Sequence, residues 1–491
     1  MSRPGHDARG AVGDALATTA GQGLCIAASL VFSIFVPRLL GAANYGEWML
    51  FRGLAIFWLS LLSLGDRELI SSFYVPQREK GDADGASRIF KSLMAFRLAL
   101  LPLGLAAALL MLHSTTSVYR TVDAALCLSA TLVFKSLQCN LTTLIFGHRR
   151  LGWVAFLEVA QAVLLPLFVL LAFGDGQTEW IPRAAVAADA ILFAMALAVS
   201  RLWREWRPGW VQGAALLEIV RYAGAISLAA SVIVSLNNLL LYLMNIRGYS
   251  SAALGWVGLS TRCAWIVQAG LITVATALMP ALAVVQVHHG APRMLRWQNF
   301  LSRLGLSLLL LLAGNVLLLG PVFVTRIWGA DYEPVPPLIV GSLLAVLPVW
   351  LGAQWIRQFL LQRSTRVYLQ AATLYAIVLC VVFFLLPVDR VGWTPVIALV
   401  CAGWALAVHT AFHAARNGAS LGWLLRFLPA VAWVMVAWLR MGTSSFTATG
   451  GVQVVAWNVL LAVWILLPRA LAWHELADLW SLSRQRKSAG V

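Results

Sequence analysis

Long apolar runs alternate with short polar breaks along the chain, without the period-two alternation that marks half-exposed strands. The runs divide into about fourteen segments of about 20 residues, the length a helix needs to cross a hydrocarbon core. They lie near 15–37, 44–64, 92–112, 121–146, 152–173, 181–202, 218–244, 252–284, 299–324, 335–361, 366–387, 393–415, 421–439 and 451–472. The pattern predicts an all-α polytopic membrane protein. An outer-membrane barrel would show short alternating segments instead.

Composition strengthens this reading. Of 491 residues, 60% are hydrophobic and 11% charged, with a mean hydropathy of +0.81. No soluble domain has that balance. The formal net charge of +16 raises nucleic acid as a partner, but the basic residues are spread between apolar runs rather than gathered on one segment. Topology, anionic lipid and an anionic substrate account for it better. Alternate breaks are rich in Lys and Arg: Arg67, Arg78, Lys80, Arg88 and Lys91 in one, Arg201, Arg204 and Arg207 in another. The breaks between them carry one arginine each: Arg38, Arg120, Arg183, Arg247, Arg326, Arg390 and Arg440. The asymmetry predicts both termini in the cytoplasm. The opening MSRPGHDARGAVGDALATTAGQG reads as a retained cytoplasmic tail, not a signal peptide.

An internal repeat organises the chain. FVPRLLGAANYGEWMLFRGLAIFW (35–58) and LYLMNIRGYSSAALGWVGLSTRCAWIV (241–267) each end one apolar run in a basic residue and a glycine-containing turn. Each then places Gly and Trp shortly before an arginine: Gly46 before Arg52, Gly255 before Arg262. The offset predicts a cytoplasmic tail (1–14), two six-helix bundles (15–207 and 208–416) related by a parallel repeat, an additional helix pair (417–475) and a basic tail (476–491).

The segments FVPRLLGAANYGEW, GDRELISSFYVPQREKGD, ATALMPALA (275–283) and VFVTRIWGADYEPVPPLI (322–339), in this order, resemble those of bacterial polysaccharide flippases. These are the Wzx-type O-antigen and exopolysaccharide exporters of the multidrug/oligosaccharidyl-lipid/polysaccharide (MOP) superfamily. The resemblance implies two six-helix bundles that alternate access and move undecaprenyl-diphosphate-linked glycans across the bacterial inner membrane. It also brings in a polysaccharide polymerase and a chain-length regulator as partners. Many members have twelve helices, so the final pair departs from that number.

Charged groups inside the apolar runs carry the candidate chemistry. Arg52, Lys135, Arg262 and Arg357 lie where a cation is costly and calls for a reason. Facing one cavity, they would make it electropositive, suited to a diphosphate that guanidinium binds bidentately and lysine as a point charge. Alternatives stay open. Arg357 is close enough to its helix end to snorkel, and Arg52 and Arg262 can pair with carboxylates, Glu47 and Asp66 being candidates. Gln138, Asn140, Asn237, Asn238, Gln268 and Gln354 either line a sugar path or bond helix to helix. Glu158, Asp66 and Asp189 are the acids available for coupling to a proton or sodium ion; alternatively, Glu158 neutralises a cavity cation.

No cofactor is implied. No P-loop is present, and His409 and His413 have i, i+4 spacing without the glutamate of HExxH. A small-molecule antiporter of the same superfamily is the second reading, and a polysaccharide polymerase or ligase the third. The short outer loops leave no room for an extramembrane catalytic domain.

Overall fold

The computed structural model describes residues 4–63, 81–148, 150–173, 178–200, 213–361, 365–417 and 421–441, with isolated positions 74, 77, 78, 202, 419 and 459. Side chains at 4–19, at most of 213–234, at 273–298 and at 357–365 lie outside that description. The described chain is helical. In order, the helices are α1 (Pro4–Ser63), α2 (Ala83–Ser114), α3 (Val122–Gly147), α4 (Leu151–Ala172), α5 (Trp180–Ser200) and α6 (Gly213–Ile246). They continue with α7 (Ser251–Trp328), α8 (Val335–Leu361), α9 (Thr365–Leu385), α10 (Trp393–Arg416) and α11 (Leu428–Met441).

Two of these helices, α1 and α7, are long enough for two crossings, and each is two arms. α1 breaks at Gly41, whose φ of 73° and ψ of 165° are non-helical. A side chain rarely tolerates that conformation, which is why glycine stands at the reorientation. α7 has 78 residues and would extend about 117 Å if straight. Yet Trp256, near its start, donates to the carbonyl of Asp331, just past its end, at 2.7 Å. The helix must therefore fold back, its two arms running side by side.

Among the described residues, nine helices are long and apolar enough to cross a membrane, the undivided α1 counting once. Large apolar side chains such as Leu103, Leu110, Leu171 and Leu385 are exposed on them. In water this would be a sizeable apolar patch, whereas facing lipid it is expected. The chain is a multi-pass membrane protein. The expected span at 218–244 appears as α6. The expected span at 421–439 begins with a 3-10 turn, Gly422–Arg426, and becomes α-helix only at Leu428. The expected span at 451–472 lies outside the described residues.

α1 to α5 pack on one another, as do α6 to α10, and α1 packs on both α6 and α7. α8 is the most enclosed apolar helix, with 89% of its most apolar stretch buried; its polar side chains Ser342 and Gln354 are buried as well.

The breaks that carry a single arginine gather at one end. Arg183 pairs with Asp123 at 2.9 Å, and Tyr119 donates to the carbonyl of Thr178 at 3.3 Å. Arg247 donates to the carbonyls of Phe383 and Leu386. The Lys- and Arg-rich breaks meet at the other end, where Arg78 contacts both Tyr74 and His148 and Arg150 donates to the carbonyl of Val199 at 2.6 Å.

Candidate functional site

The arginine-poor end is where the two helix groups close on each other. α1 and α7 cross there with backbone against backbone: a Cβ on Gly46 would overlap the Ser251 carbonyl, and one on Gly255 the Ala42 carbonyl. These are the glycines that open the two copies of the sequence repeat, and the contact is reciprocal. Glu47, buried beside this crossing, accepts hydrogen bonds from the hydroxyls of Ser117 and Ser251 and from the amide of Val118. Further bonds join the groups at the same level. Trp328 donates to the carbonyl of Ser33 at 2.8 Å, Tyr332 to that of Pro37 at 2.8 Å, and the Thr116 amide to Asn245 at 2.9 Å.

From this seal the same two helices run inward and carry the cations. Arg52 lies about a turn and a half past Gly46, half-buried, with its guanidinium 5.9 Å from the Trp48 ring centroid. Arg262 lies two turns past Gly255. It stacks 5.0 Å from Trp265 and reaches Ser29 at 3.5 Å. Each guanidinium is within electrostatic reach of the other, with the buried Tyr45 beside both. Two like charges in a weakly screening interior repel, so their juxtaposition favours an anion between them.

Lys135 on α3 has a partner. It forms an ion pair with Asp189 of α5 at 2.9 Å, and both side chains are at most 10% exposed. Lys135 also donates to Gln138 at 3.2 Å. Asp189 is also within electrostatic range of Arg52.

The other residues named from the sequence scatter. Asn140 is buried and accepts from Arg97 at 2.6 Å, while Arg97 also donates to the Ser63 carbonyl at 3.0 Å. Asn237 accepts from Tyr375 at 2.9 Å. The backbone of Asn238 lies against Gly53. Gln354 is buried, and Gln268 is half-buried on the arm that carries Arg262. Glu158 is half-buried on α4. The side chain of Arg357 and all of Asp66 lie outside the described residues. Glu47 is tied to Ser117 and Ser251 rather than to Arg52.

Three features escaped sequence reasoning. The Lys135–Asp189 pair joins helices 54 positions apart, and no local spacing signals it. Arg97 reads from sequence as one of the cytoplasmic basic residues, yet it is buried against Asn140. Glu47 carried a usable signal, an acid directly after the repeat's glycine, but its serine partners come from distant loops.

The two helix groups of this multi-pass protein thus meet at one end, with Arg52 and Arg262 further along the helices that cross there. No protein-family model matches the chain, and no curated protein matches its sequence. Its likeness to solved structures lies in the fold. A lipid II flippase, MurJ, in an inward closed conformation superposes with a TM-score of 0.68 at 12% identity, covering 94% of this chain and 100% of that one. A multidrug-resistance MATE-family transporter of the MOP superfamily, in an inward-facing conformation, gives 0.64 at 11% identity over 82% and 95%. The MATE multidrug transporter DinF-BH gives 0.56 at 16% identity over 81% and 94%. The chain shares its fold with these transporters.

Proposed function

We propose that the protein flips undecaprenyl-diphosphate-linked oligosaccharide units from the cytoplasmic to the outer leaflet of the bacterial inner membrane, by alternating access, for O-antigen or exopolysaccharide assembly. The observation that supports this reading is that α1 and α7 cross in backbone contact at Gly46 and Gly255 and carry Arg52 and Arg262 within about two turns of that contact. Guanidinium groups aimed at one space suit the oxygens of a diphosphate. With 15–207 and 208–416 as the two moving bodies and both termini cytoplasmic, the seal around Glu47 closes the outer side, and the cations await substrate from the inner leaflet. A proton or sodium ion is the available coupling ion. The likeness to a lipid II flippase supports a lipid-linked substrate. A cationic drug, the alternative cargo for this fold, would meet surplus positive charge.

Arg52→Ala and Arg262→Ala are each expected to lower surface-polysaccharide export by about tenfold or more, since a hydrogen bond to a charged group contributes about 1.5–3 kcal/mol. The measurement is export in a strain lacking the native copy, with membrane insertion checked by immunoblot. Single glycan units should accumulate on the cytoplasmic leaflet. Normal export by both variants overturns the reading.

A further inference from the structure

The indole of Trp265 is 48% exposed at a depth where tryptophan has no interface to anchor. It lies 14 residues into α7 from Ser251. That is about 21 Å along the axis, inside a hydrocarbon core about 30 Å thick, whereas lipid-facing tryptophans gather at the two interfaces. The side of the helix it occupies is polar: Arg262, Trp265 and Gln268 recur at three-residue intervals. That side faces the first arm of α1, where Arg262 reaches Ser29 at 3.5 Å and a Cβ on Gly270 would come 3.9 Å from Ile26. Polar side chains at this depth turn to protein or to a water-filled space. Trp265 is therefore open to the space between the two helix groups, not to lipid.

We infer that Trp265 is the platform for the first sugar of the cargo, beside Arg262 as the holder of the adjoining phosphate. The inference rests on the flippase reading above. The Arg262 guanidinium stacks 5.0 Å from the Trp265 ring centroid. A stacked guanidinium keeps its N–H donors in its own plane, where phosphate oxygens can meet them. The Ser29 contact occupies one of those donors, at the limit of hydrogen-bonding distance. Arg262 covers part of the indole, and the exposed remainder is what a sugar would meet. The covalent order of the cargo matches the order along the helix. In a glycosyl diphosphate one oxygen joins phosphorus to the sugar ring, so phosphate and sugar are immediate neighbours. Arg262 and Trp265 are neighbours in the same way, three residues apart, or about 4.5 Å of rise. A pyranose presents a face of C–H groups that packs on an aromatic face, while its hydroxyls stay in water at the open side. A lipid diphosphate without a sugar has nothing to lay there, so the platform separates glycosylated from unglycosylated lipid.

The test uses the purified full-length protein in detergent and two probes of equal charge. One is a short-chain polyprenyl diphosphate carrying a single hexose; the other is the same diphosphate closed by a methyl group. Dissociation constants are read by native mass spectrometry, and the ratio between the probes isolates the sugar. The wild type is expected to bind the hexose probe about tenfold more tightly, the size of one aromatic contact with the area it covers. Trp265→Leu keeps apolar bulk but removes the flat face, and should bring the ratio to about one; Trp265→Phe should keep most of it. Because Trp265 is exposed, neither change opens a core cavity. A ratio unchanged in Trp265→Leu, including the case in which both probes weaken alike, leaves Trp265 as a support for Arg262 only and overturns the inference. So does a wild-type ratio near one, or a Trp265→Phe protein that loses the preference as fully as Trp265→Leu. Binding of neither probe by the wild type overturns the flippase reading with it.

Discussion

The carboxylate of Asp389 lies between α9 and α10 and accepts backbone N–H groups from Val391 at 3.0 Å, Trp393 at 2.8 Å and Thr394 at 2.8 Å. It thereby satisfies donors that the first turn of α10 would otherwise leave open. Burial opposes its ionisation, but the N–H groups of Thr394, Trp393 and Gly392 outweigh burial and hold the carboxyl below its ordinary 3.8. A lowered native value makes the contribution to stability fully present above the unfolded value and lost as pH falls through the native one. Asp389→Ala should therefore cost about 1 kcal/mol near neutral pH, as for a lost helix cap. The deficit should shrink below pH 3.8. Thermal unfolding of the purified protein across an acid series checks both the size and the sign. A deficit that grows with acidity would show that Asp389 is not the anchor.

At the scale of elements, the crossing of α1 and α7 depends on two residues that have no side chain. Gly46→Leu should prevent the close approach to the Ser251 carbonyl, with a destabilisation of about 1–3 kcal/mol, as for other overpacked contacts. Gly53→Ala, which meets only a 3.2 Å contact with Asn238, should be milder. Transport in vesicles and the melting temperature of the two variants provide the comparison. The helices themselves were legible because hydropathy reports burial in lipid directly: α3 to α5 and α8 to α10 lie within a few residues of the apolar runs, and α2 begins nine residues before its run. The two arms of α7 were legible as the separate runs 252–284 and 299–324; that helix continues across the break between them, which holds Gly290 and Pro292, was not. In the site, the repeat pointed to Gly46 and Gly255, which do meet at the crossing of α1 and α7. The Asp189 partner of Lys135 was invisible to spacing, because pairing across helices depends on how they rotate against each other, which hydropathy does not encode.

For the whole molecule, the proposed flippase activity requires the two helix groups to part at the seal. Replacing Thr116 and Asn245, joined at 2.9 Å across the groups, by cysteines and linking them with a short reducible reagent should stop transport. Reductant should restore it, and each single cysteine variant should transport normally. Full transport by the linked protein would exclude separation of the groups at this end.

The make-up of that seal also sets how readily it opens. It is closed by bare backbone at Gly46 and Gly255 and by hydrogen bonds from Ser117, Ser251, Trp328 and Tyr332. Such bonds contribute about 1 kcal/mol each in net terms, and about 1.5–3 kcal/mol where a carboxylate accepts, because water replaces them when they part. Two states separated by a few such bonds differ by so little that both can be populated, and a ligand with modest preference for one shifts the balance. The closed end is thus a reversible clasp, one that cargo binding alone can tip.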